Sequence, residues 1–312
     1  MKALVIGAAG FVGGYLVEHL KKDWKWEVFA TKLEQETVQM EKVVCLDLDI
    51  LDRKAVEHVL FEIEPDYIFH LAAQSSVALS WKNPDLTLDV NIKGCVHILE
   101  AVRKMQKKVR ILLVGSSEEY GQIKGEAVTE ESFVYPKNLY AVTKVCQNML
   151  GKVYADAYQM EIVMVRAFNH IGPKQSSAFV ISDFCRQVAE IEAEKKEAVI
   201  KVGNLSAKRD FTDVRDIVRA YALLIQRGKA GETYNVGSGE ACSIAEILEK
   251  ILRLSKKAIQ IEIDPAKLRP ADVSVIKADI RKLKEATGWE RKIPLEVTLE
   301  EVLNSWREQE WY

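Results

Sequence analysis

Residues 1–14 read MKALVIGAAGFVGG, and this stretch decides the fold. A short apolar run leads directly into the spacing Gly7-x-x-Gly10-x-x-Gly13, and the residues after it have the apolar period of an amphipathic helix. In such a strand–turn–helix unit Gly7 permits a tight turn, Gly10 lets the backbone approach a pyrophosphate and Gly13 lets the helix pack closely on the sheet. The stretch therefore predicts a dinucleotide-binding unit whose phosphates lie at the helix N-terminus.

The composition excludes several classes of protein. The 312 residues carry 44 Lys and Arg against 46 Asp and Glu, a formal net charge of −2, and nothing in this balance favours nucleic-acid binding. No apolar run has the length of a membrane span, so we expect no membrane association. The five cysteines are widely spaced and form no C-x-x-C pair, which predicts no metal site and no disulfide framework and favours a reduced, cytoplasmic setting.

Strand-like and helix-like patterns alternate through the first half of the chain. We expect strands over 3–6, 27–31, 42–46, 67–71, 110–114 and 161–167, and helices over 11–22, 53–62, 85–105 and 138–158. This alternation predicts an α/β fold of the Rossmann type, a doubly wound parallel sheet. Such sheets bind their ligands at the carboxyl ends of the strands.

The pattern becomes less regular after residue 168. We expect helices over 179–194, 213–226, 243–254, 279–287 and 296–309, and strands over 198–202, 232–236 and 258–263. The predicted domains are a dinucleotide-binding domain over 1–168, which also receives about 211–237, and a smaller α/β substrate-binding lobe over 169–312. The second lobe is therefore predicted to be interleaved with the first.

A tyrosine and a lysine are spaced for acid–base chemistry. In Tyr140-Ala-Val-Thr-Lys144 the spacing of four places both side chains on one helix face. An ammonium beside a phenol stabilises the phenolate and lowers its pKa, so we expect Tyr140 to act as a general acid or base near neutral pH. Tyr120 and Lys124 have the same spacing, but a glycine follows Tyr120 at once and we interpret that copy as chance. Ser116 precedes Tyr140 at the end of an expected strand.

These residues together resemble the extended short-chain dehydrogenase/reductase family, whose members act mostly on nucleotide sugars. The resemblance rests on the glycine turn, His70-Leu-Ala-Ala73, Asn91, Ser116 and Tyr140-x-x-x-Lys144, and spans nearly the whole chain. It implies that Ser116 hydrogen-bonds the reacting sugar oxygen, that Tyr140 exchanges the proton and that Lys144 also holds the nicotinamide ribose. It further implies a homodimer through a four-helix bundle, to which the helices at 85–105 and 138–158 contribute.

The choice of cofactor depends on the end of the second expected strand. NAD enzymes usually have an acid there, which binds the ribose 2′-hydroxyl. This chain has Lys32 instead, which can meet a 2′-phosphate and favours NADP, but Glu34 and Glu36 follow soon and NAD stays possible. Asp49-Ile50 resembles the adenine contact of the family. The expected cofactor-binding residues are Gly7, Gly10, Phe11, Val12, Gly13, Lys32, Asp49, Ile50, Leu71, Ala72, Ala73, Asn91, Tyr140 and Lys144.

Further motifs resemble, within that family, the enzymes of GDP-deoxyhexose synthesis. They lie at 114–121 (VGSSEEYG), 166–173 (RAFNHIGP), 202–205 (VGNL), 209–213 (RDFTD) and 268–270 (LRP). The resemblance implies a GDP-linked sugar as substrate, with Arg209 and Arg269 on its diphosphate, since Arg offers bidentate donors; surface salt bridges, such as Arg209 with Asp213, are the alternative. The expected substrate-binding residues are Ser117, Asn169, Val180, Lys201, Arg209 and Arg269.

Two reactions stay open for this site. Reduction of the C4 ketone of GDP-4-keto-6-deoxy-D-mannose to GDP-D-rhamnose needs Ser116, Tyr140, Lys144 and a reduced nicotinamide. A GDP-mannose 4,6-dehydratase also needs a carboxylate that removes the C5 proton, and Glu118 stands where dehydratases carry their glutamate. Ser at 116, where dehydratases usually have Thr, favours the reductase. A dual activity, a structural role for Glu118 and another nucleotide-sugar epimerase or dehydratase remain alternatives, whereas a protein that only binds dinucleotide is expected to lack the Tyr or the Lys.

Overall fold

A seven-stranded parallel sheet lies at the centre of the fold. This computed structural model describes residues 1–38, 43–121, 127–267 and 275–309. Within them the strands are β1 (Lys2–Ile6), β2 (Glu27–Lys32), β3 (Val44–Asp47), β4 (Tyr67–His70), β5 (Arg110–Ser116), β6 (Glu161–Ala167), β7 (Asn169–Ile171), β8 (Val199–Val202), β9 (Lys208–Arg209), β10 (Phe211–Asp213), β11 (Thr233–Val236), β12 (Cys242–Ser243), β13 (Gln260–Ile263) and β14 (Val275–Ile276). The central order is β3-β2-β1-β4-β5-β6-β11, with every neighbouring pair parallel, which confirms the predicted doubly wound sheet.

Helices cover both faces of this sheet. The described helices are α1 (Phe11–Lys22), α2 (Arg53–Ile63), α3 (Val77–Lys82), α4 (Pro84–Leu88), α5 (Gly94–Lys104), α6 (Leu139–Tyr158), α7 (Val180–Glu192), α8 (Val214–Arg227), α9 (Ile244–Arg253), α10 (Arg281–Thr287) and α11 (Leu295–Arg307). Alternate residues of a strand face opposite sides of a sheet. Accordingly Ala3 and Val5 pack in the core with α1 and α8, whereas Leu4 and Ile6 pack in the core with α2 and α5.

A second, smaller lobe has its own core. Apolar residues of α7, α9 and α11 pack together with Ile200 and Val202 of β8, which pairs in parallel with β13. Between α7 and α9 the chain returns to the first lobe, since α8 packs against α1 and β11 extends the central sheet beside β6. This path is consistent with the predicted interleaving, while the exact domain limits stay a prediction.

The segment predicted as one helix over 85–105 is helical up to Lys104 but is not a regular α-helix. It consists of α4, a π turn at Asp89–Lys93 and α5, and the short helix α3 precedes it. Asn83 caps α4 by accepting a hydrogen bond from the Leu86 N–H, and Pro84 occupies the first helical turn, where a missing N–H has no cost. The predicted strand 42–46 begins instead at Val44.

Three sequence-based expectations fall outside the described residues: Lys42 in the third strand, Lys124 in the second Tyr–Lys pair, and the 268–270 motif with Arg269. Among the described residues all five cysteines are free, and no group of three or more His, Cys, Asp and Glu is arranged to bind a metal ion. No described helix combines the length and the apolar character that crossing a membrane requires.

Candidate active site

The glycine turn is shaped by close backbone contacts. Gly7 has a φ of +84°, and a Cβ there would lie 2.6 Å from the backbone nitrogen of Ala72. A Cβ on Gly13 would lie 2.5 Å from the carbonyl oxygen of Ala8, so the helix packs on the strand as closely as the sequence predicts. Gly10 caps α1 without any side-chain hydrogen bond, and the first turn of α1 has no acid. The N–H groups of this helix end therefore suit an anion such as a pyrophosphate.

The end of β2 lies directly beside this turn. The Thr31 carbonyl accepts a hydrogen bond from the Ala8 N–H at 2.8 Å, and its hydroxyl accepts one from the Gly7 N–H at 3.3 Å. The next residue is Lys32, whose ammonium donates to the Asp47 carboxylate. This hydrogen bond raises the pKa of Lys32. Lys32 therefore ends β2 with an acidic partner that sequence reasoning missed, and its contact with a 2′-phosphate stays a prediction.

Ser116, Tyr140 and Lys144 meet at the carboxyl edge of the sheet. Ser116 ends β5, and its hydroxyl lies near enough to Tyr140 to lower the pKa of the phenol and accepts a hydrogen bond from the Glu118 N–H at 3.2 Å. Lys144 is buried, with its Nζ 5.9 Å from the centre of the Tyr140 ring. Its ammonium donates to the Val114 carbonyl at 2.8 Å and to the Gln147 side-chain oxygen at 3.0 Å. The structure thus brings the three residues together.

The pKa of Tyr140 differs from the sequence-based expectation. Burial raises the pKa of Tyr140 well above its usual value, more strongly than the neighbouring Ser116 hydroxyl lowers it. The pKa is thus raised rather than lowered as the sequence predicts, and the Lys144 ammonium donates to the carbonyl of Val114 and to Gln147. Burial in turn lowers the pKa of Lys144 to about 8. At neutral pH Tyr140 is therefore a protonated phenol, which suits a proton donor.

Glu118 lies next to this group. It belongs to a 3₁₀ turn at Ser117–Tyr120 that follows β5 directly, and its carboxylate accepts a hydrogen bond from the Asn138 amide at 2.9 Å. Asn138 also caps α6, accepting from the Ala141 N–H at 2.8 Å. The negative charge of Glu118 contributes to the raised pKa of Tyr140. The carboxylate is thus held beside the start of the helix that carries Tyr140.

A buried ion pair beneath Ser116 was not predicted. Glu119 has no exposed surface; its carboxylate accepts from the Ser116 N–H at 2.9 Å and from the Arg166 Nε at 2.8 Å. Arg166 also donates to the Tyr120 hydroxyl at 3.0 Å. Burial raises the pKa of Glu119 to about 7 although Arg166 and Ser116 oppose this. The pair fixes the turn that carries Ser116 and Glu118. Its sequence signals were Arg166 near the end of a mostly apolar strand and the capping-box spacing Ser116-x-x-Glu119.

Asn91 forms one wall of the site from within the π turn. Its side-chain oxygen accepts from the Gln74 N–H at 2.8 Å, and its amide donates to the Gln74 carbonyl at 3.0 Å and to the Thr143 hydroxyl at 2.9 Å. It therefore ties the loop after β4 to α6, between Tyr140 and Lys144. In the same loop, the N–H groups of Leu71 and Ala72 donate to the Ile6 carbonyl. Contacts of the residues from 71 to 73 and of Asn91 with a cofactor stay predictions.

The expected substrate residues are distributed over the second lobe and its border. Ser117 is buried in the 3₁₀ turn, Asn169 begins β7 and Val180 begins the first turn of α7. Asn169 pairs with Phe211 in the β7–β10 ladder, which brings the motif at 166–173 beside the motif at 209–213. Phe211 follows Arg209 by two residues. Lys201 is exposed in β8 and is joined to α7 through a hydrogen bond from its N–H to Gln187.

The remaining residues predicted to bind the cofactor differ in how accessible their side chains are. Asp49 is exposed, and its carboxylate accepts from the Leu51 N–H at 2.9 Å. The Ile50 side chain is buried, so a contact with adenine there is restricted to its backbone or to the edge of its side chain. Phe11 and Val12 occupy the first turn of α1.

Comparison with known proteins agrees with this geometry. The family model described as GDP-mannose 4,6 dehydratase matches residues 4–302. The chain is 30% identical over 308 residues to the GDP-6-deoxy-D-mannose reductase of Pseudomonas aeruginosa, which covers 98% of this chain and 97% of that protein. It is 26% identical over 340 residues to a GDP-mannose 4,6-dehydratase of Vibrio cholerae, covering 95% of this chain and 91% of the relative.

Solved structures share the whole fold. RMD from Pseudomonas aeruginosa complexed with NADPH has a TM-score of 0.86 at 28% identity, with 98% of both chains covered. A UDP-glucose 4-epimerase of Thermus thermophilus in complex with NAD has a TM-score of 0.89 at 28% identity, with 99% of both chains covered. These matches span nearly the entire chain and confirm the family resemblance. The chain belongs to the GDP-mannose 4,6 dehydratase family.

Proposed function

We propose that this chain is an NADPH-dependent reductase of GDP-4-keto-6-deoxy-D-mannose that produces GDP-D-rhamnose. One observation carries the proposal: the Tyr140 phenol lies with Ser116 and Lys144 at the carboxyl edge of the sheet, where desolvation keeps it protonated. A ketone reductase needs such a phenol, because the alkoxide that develops at C4 must receive a proton. The 30% identity over 98% of the chain to a GDP-6-deoxy-D-mannose reductase points to the same reaction.

In this reaction Ser116, Tyr140 and Lys144 have different roles. When bound, the nicotinamide cofactor supplies the hydride. Ser116 and Tyr140 bind the C4 oxygen of the sugar, and Tyr140 donates its hydroxyl proton to that oxygen. The nearby ammonium of Lys144 favours the phenolate that remains, since opposite charge stabilises an anion in a buried site.

The site fits a dinucleotide. The uncapped start of α1 suits the pyrophosphate, and the absence of side-chain volume at Gly10 leaves room for it. Lys32 favours NADP and NAD remains the alternative; the solved relatives include one complexed with NADPH and one with NAD. We propose that the cofactor contacts the same residues that the sequence predicts as cofactor-binding. The residues proposed to contact the GDP-sugar are Ser117, Asn169, Val180, Lys201, Arg209 and Arg269. The domain limits that we propose are those predicted from the sequence.

The 4,6-dehydratase reaction is the second candidate, because Glu118 is held beside Tyr140 by Asn138. In that reaction the Glu118 carboxylate removes the C5 proton. A paired assay separates the two functions: GDP-4-keto-6-deoxy-mannose with NADPH, and GDP-mannose with NADP⁺, with products identified by mass and NMR. The reductase predicts NADPH consumption and a 6-deoxyhexose in the first reaction only. A keto-sugar formed in the second reaction without net change of cofactor contradicts it and assigns the dehydratase.

The variant Glu118→Gln sharpens this test. It keeps the size of the side chain and a hydrogen-bonding oxygen for Asn138 but removes the base. If the chain is a reductase, turnover of the keto-sugar by the variant stays within about threefold of wild type. If the chain is a dehydratase, keto-sugar formation from GDP-mannose falls by about 10²–10⁴-fold. A matched control is Glu296→Gln, which removes an exposed carboxylate from the surface of the second lobe.

We also propose a homodimer that packs α5 and α6 against their copies. An apolar stripe on α6 supports this: Val142, Met149 and Val153 are 38%, 62% and 58% exposed, with the half-buried Cys146 between them. The spacing of four, three and four residues is that of a helix–helix seam. Light scattering of the purified protein tests the proposal, and a monomer mass contradicts it.

A further inference from the structure

Lys32 and Asp47 form an ion pair at the ends of two neighbouring strands. They stand opposite each other in the β2–β3 register, and the ammonium donates to the carboxylate. The remaining contacts of the ammonium are the carbonyl oxygens of Leu33 and Glu34, at 3.3 and 3.5 Å. The Lys32 side chain is 18% exposed and that of Asp47 57%. The cation is thus surrounded by oxygen acceptors, and the carboxylate is the partner open to solvent.

The pair is located where a dinucleotide would present its adenosine ribose. Thr31, immediately before Lys32, accepts hydrogen bonds from the N–H groups of Gly7 and Ala8 in the phosphate-binding turn. In doubly wound sheets the residue at the end of β2 meets the 2′ position of that ribose. Lys32 occupies this position and Asp47 is the group bound to it.

The other carboxylates nearby belong to Glu34 and Glu36. Glu36 accepts a hydrogen bond from the Leu33 N–H at 2.8 Å, and the side chain of Glu34 is exposed. Within the described part of the chain, Asp47 is therefore the carboxylate that takes the Lys32 ammonium.

We infer that Asp47 sets the cofactor specificity of this enzyme, by competing with the 2′-phosphate of NADP for Lys32. The inference rests on the proposed function. A 2′-phosphate is a dianion, so it must draw Lys32 away from Asp47 and also faces the charge of that carboxylate. A 2′-hydroxyl carries no charge and can donate to Asp47, as it does to the acid that NAD enzymes place at this edge. Asp47 therefore lowers the preference for NADP and leaves NAD usable.

Direct binding measurements test the inference without any turnover. Dissociation constants of NADP⁺ and NAD⁺ are measured by calorimetry for wild type, Asp47→Asn, Lys32→Ala and the double variant. Glu296→Gln serves as the control, because it breaks the exposed Lys250–Glu296 pair in the second lobe. We expect Asp47→Asn to shift the ratio of the two constants about tenfold towards NADP⁺, chiefly by tightening NADP⁺, and Lys32→Ala to shift it about tenfold the other way.

The double variant tests whether Asp47 acts through Lys32. In the Lys32→Ala background, the shift caused by Asp47→Asn should fall below threefold. A ratio within twofold of wild type in Asp47→Asn, or an undiminished shift in the Lys32→Ala background, overturns the inference while leaving the reductase intact. If wild type binds neither dinucleotide, the proposed function fails, and the specificity argument fails with it.

Discussion

Two adjacent glycines in α1 allow the role of close packing to be tested with a matched pair of variants. A Cβ at Gly13 would lie 2.5 Å from the Ala8 backbone, about 1 Å closer than an ordinary contact, whereas a Cβ at Gly14 would meet nothing within 4 Å. Because the contacted atoms of Ala8 are backbone, α1 must move away from the turn to accept the methyl group. Gly13→Ala should therefore destabilise the protein and Gly14→Ala should stabilise it.

The magnitudes follow from packing and helix propensity. Overpacking of this kind costs about 1–3 kcal/mol, and alanine in a helix recovers up to about 1 kcal/mol relative to glycine. We therefore expect Gly13→Ala to lose about 2 kcal/mol and Gly14→Ala to gain about 0.5–1 kcal/mol. With about 2.1 cal/mol/K of unfolding entropy per residue, 1 kcal/mol shifts the Tm of these 312 residues by about 1.5 °C.

Urea denaturation and calorimetric titration with NADP⁺ measure both consequences. Moving α1 also displaces the N–H groups that we propose to bind the pyrophosphate, so Gly13→Ala should bind NADP⁺ at least tenfold more weakly, while Gly14→Ala should bind it as wild type does. A Gly13→Ala protein as stable as Gly14→Ala, with unchanged NADP⁺ affinity, would refute the packing argument.

Three further predictions concern the active site and the assembly. Tyr140→Phe should lower kcat by about 10²–10⁴-fold while the NADP⁺ dissociation constant stays within threefold; retained turnover would exclude Tyr140 as the proton donor. Burial lowers the pKa of Lys144 to about 8, whereas the pKa of this lysine in the unfolded chain is near 10.5. Between pH 8 and pH 10.5 the unfolded chain therefore binds more protons than the folded protein. The free energy of unfolding of wild type relative to Lys144→Met should therefore rise by about 1–3 kcal/mol from pH 8 to 10.5, and a flat difference in denaturation curves would contradict it. Met149→Glu should place a charge in the α6 seam and convert the dimer to monomers in light scattering, whereas a mass unchanged from a dimeric wild type would place the interface elsewhere.

The sequence allowed the central sheet and the glycine turn to be predicted because both have strong local signals. Long apolar strands, and amphipathic helices such as α1 and α6, can be recognised from the spacing of apolar residues along the sequence. The strands β7, β9, β10, β12 and β14 are only two or three residues long, too short for any period. The π turn inside the predicted helix over 85–105 was missed for a different reason, since its residues are compatible with a regular helix and Asn91 is held there by contacts with Gln74 and Thr143.

Side-chain partners were harder to predict than side-chain positions. Helical spacing correctly placed Tyr140 and Lys144 on one face, but it could not show that Val114 and Gln147 take the ammonium. The ion pair of Glu119 with Arg166 joins residues far apart in the sequence, and so does that of Lys32 with Asp47. Each depends on strand register, which follows from the folded sheet rather than from local sequence.

The late return of the chain to the central sheet has a consequence for synthesis on the ribosome. A nascent chain that has reached only residue 168 lacks both β11, which protects the edge of β6, and α8, which covers the apolar face of α1. Its open strand edge can pair with other chains. At about 5–20 residues per second, several seconds pass before residue 236 emerges. Folding of this half therefore has to wait for nearly half of the second lobe, and during that interval the edge of β6 and the apolar face of α1 stay exposed.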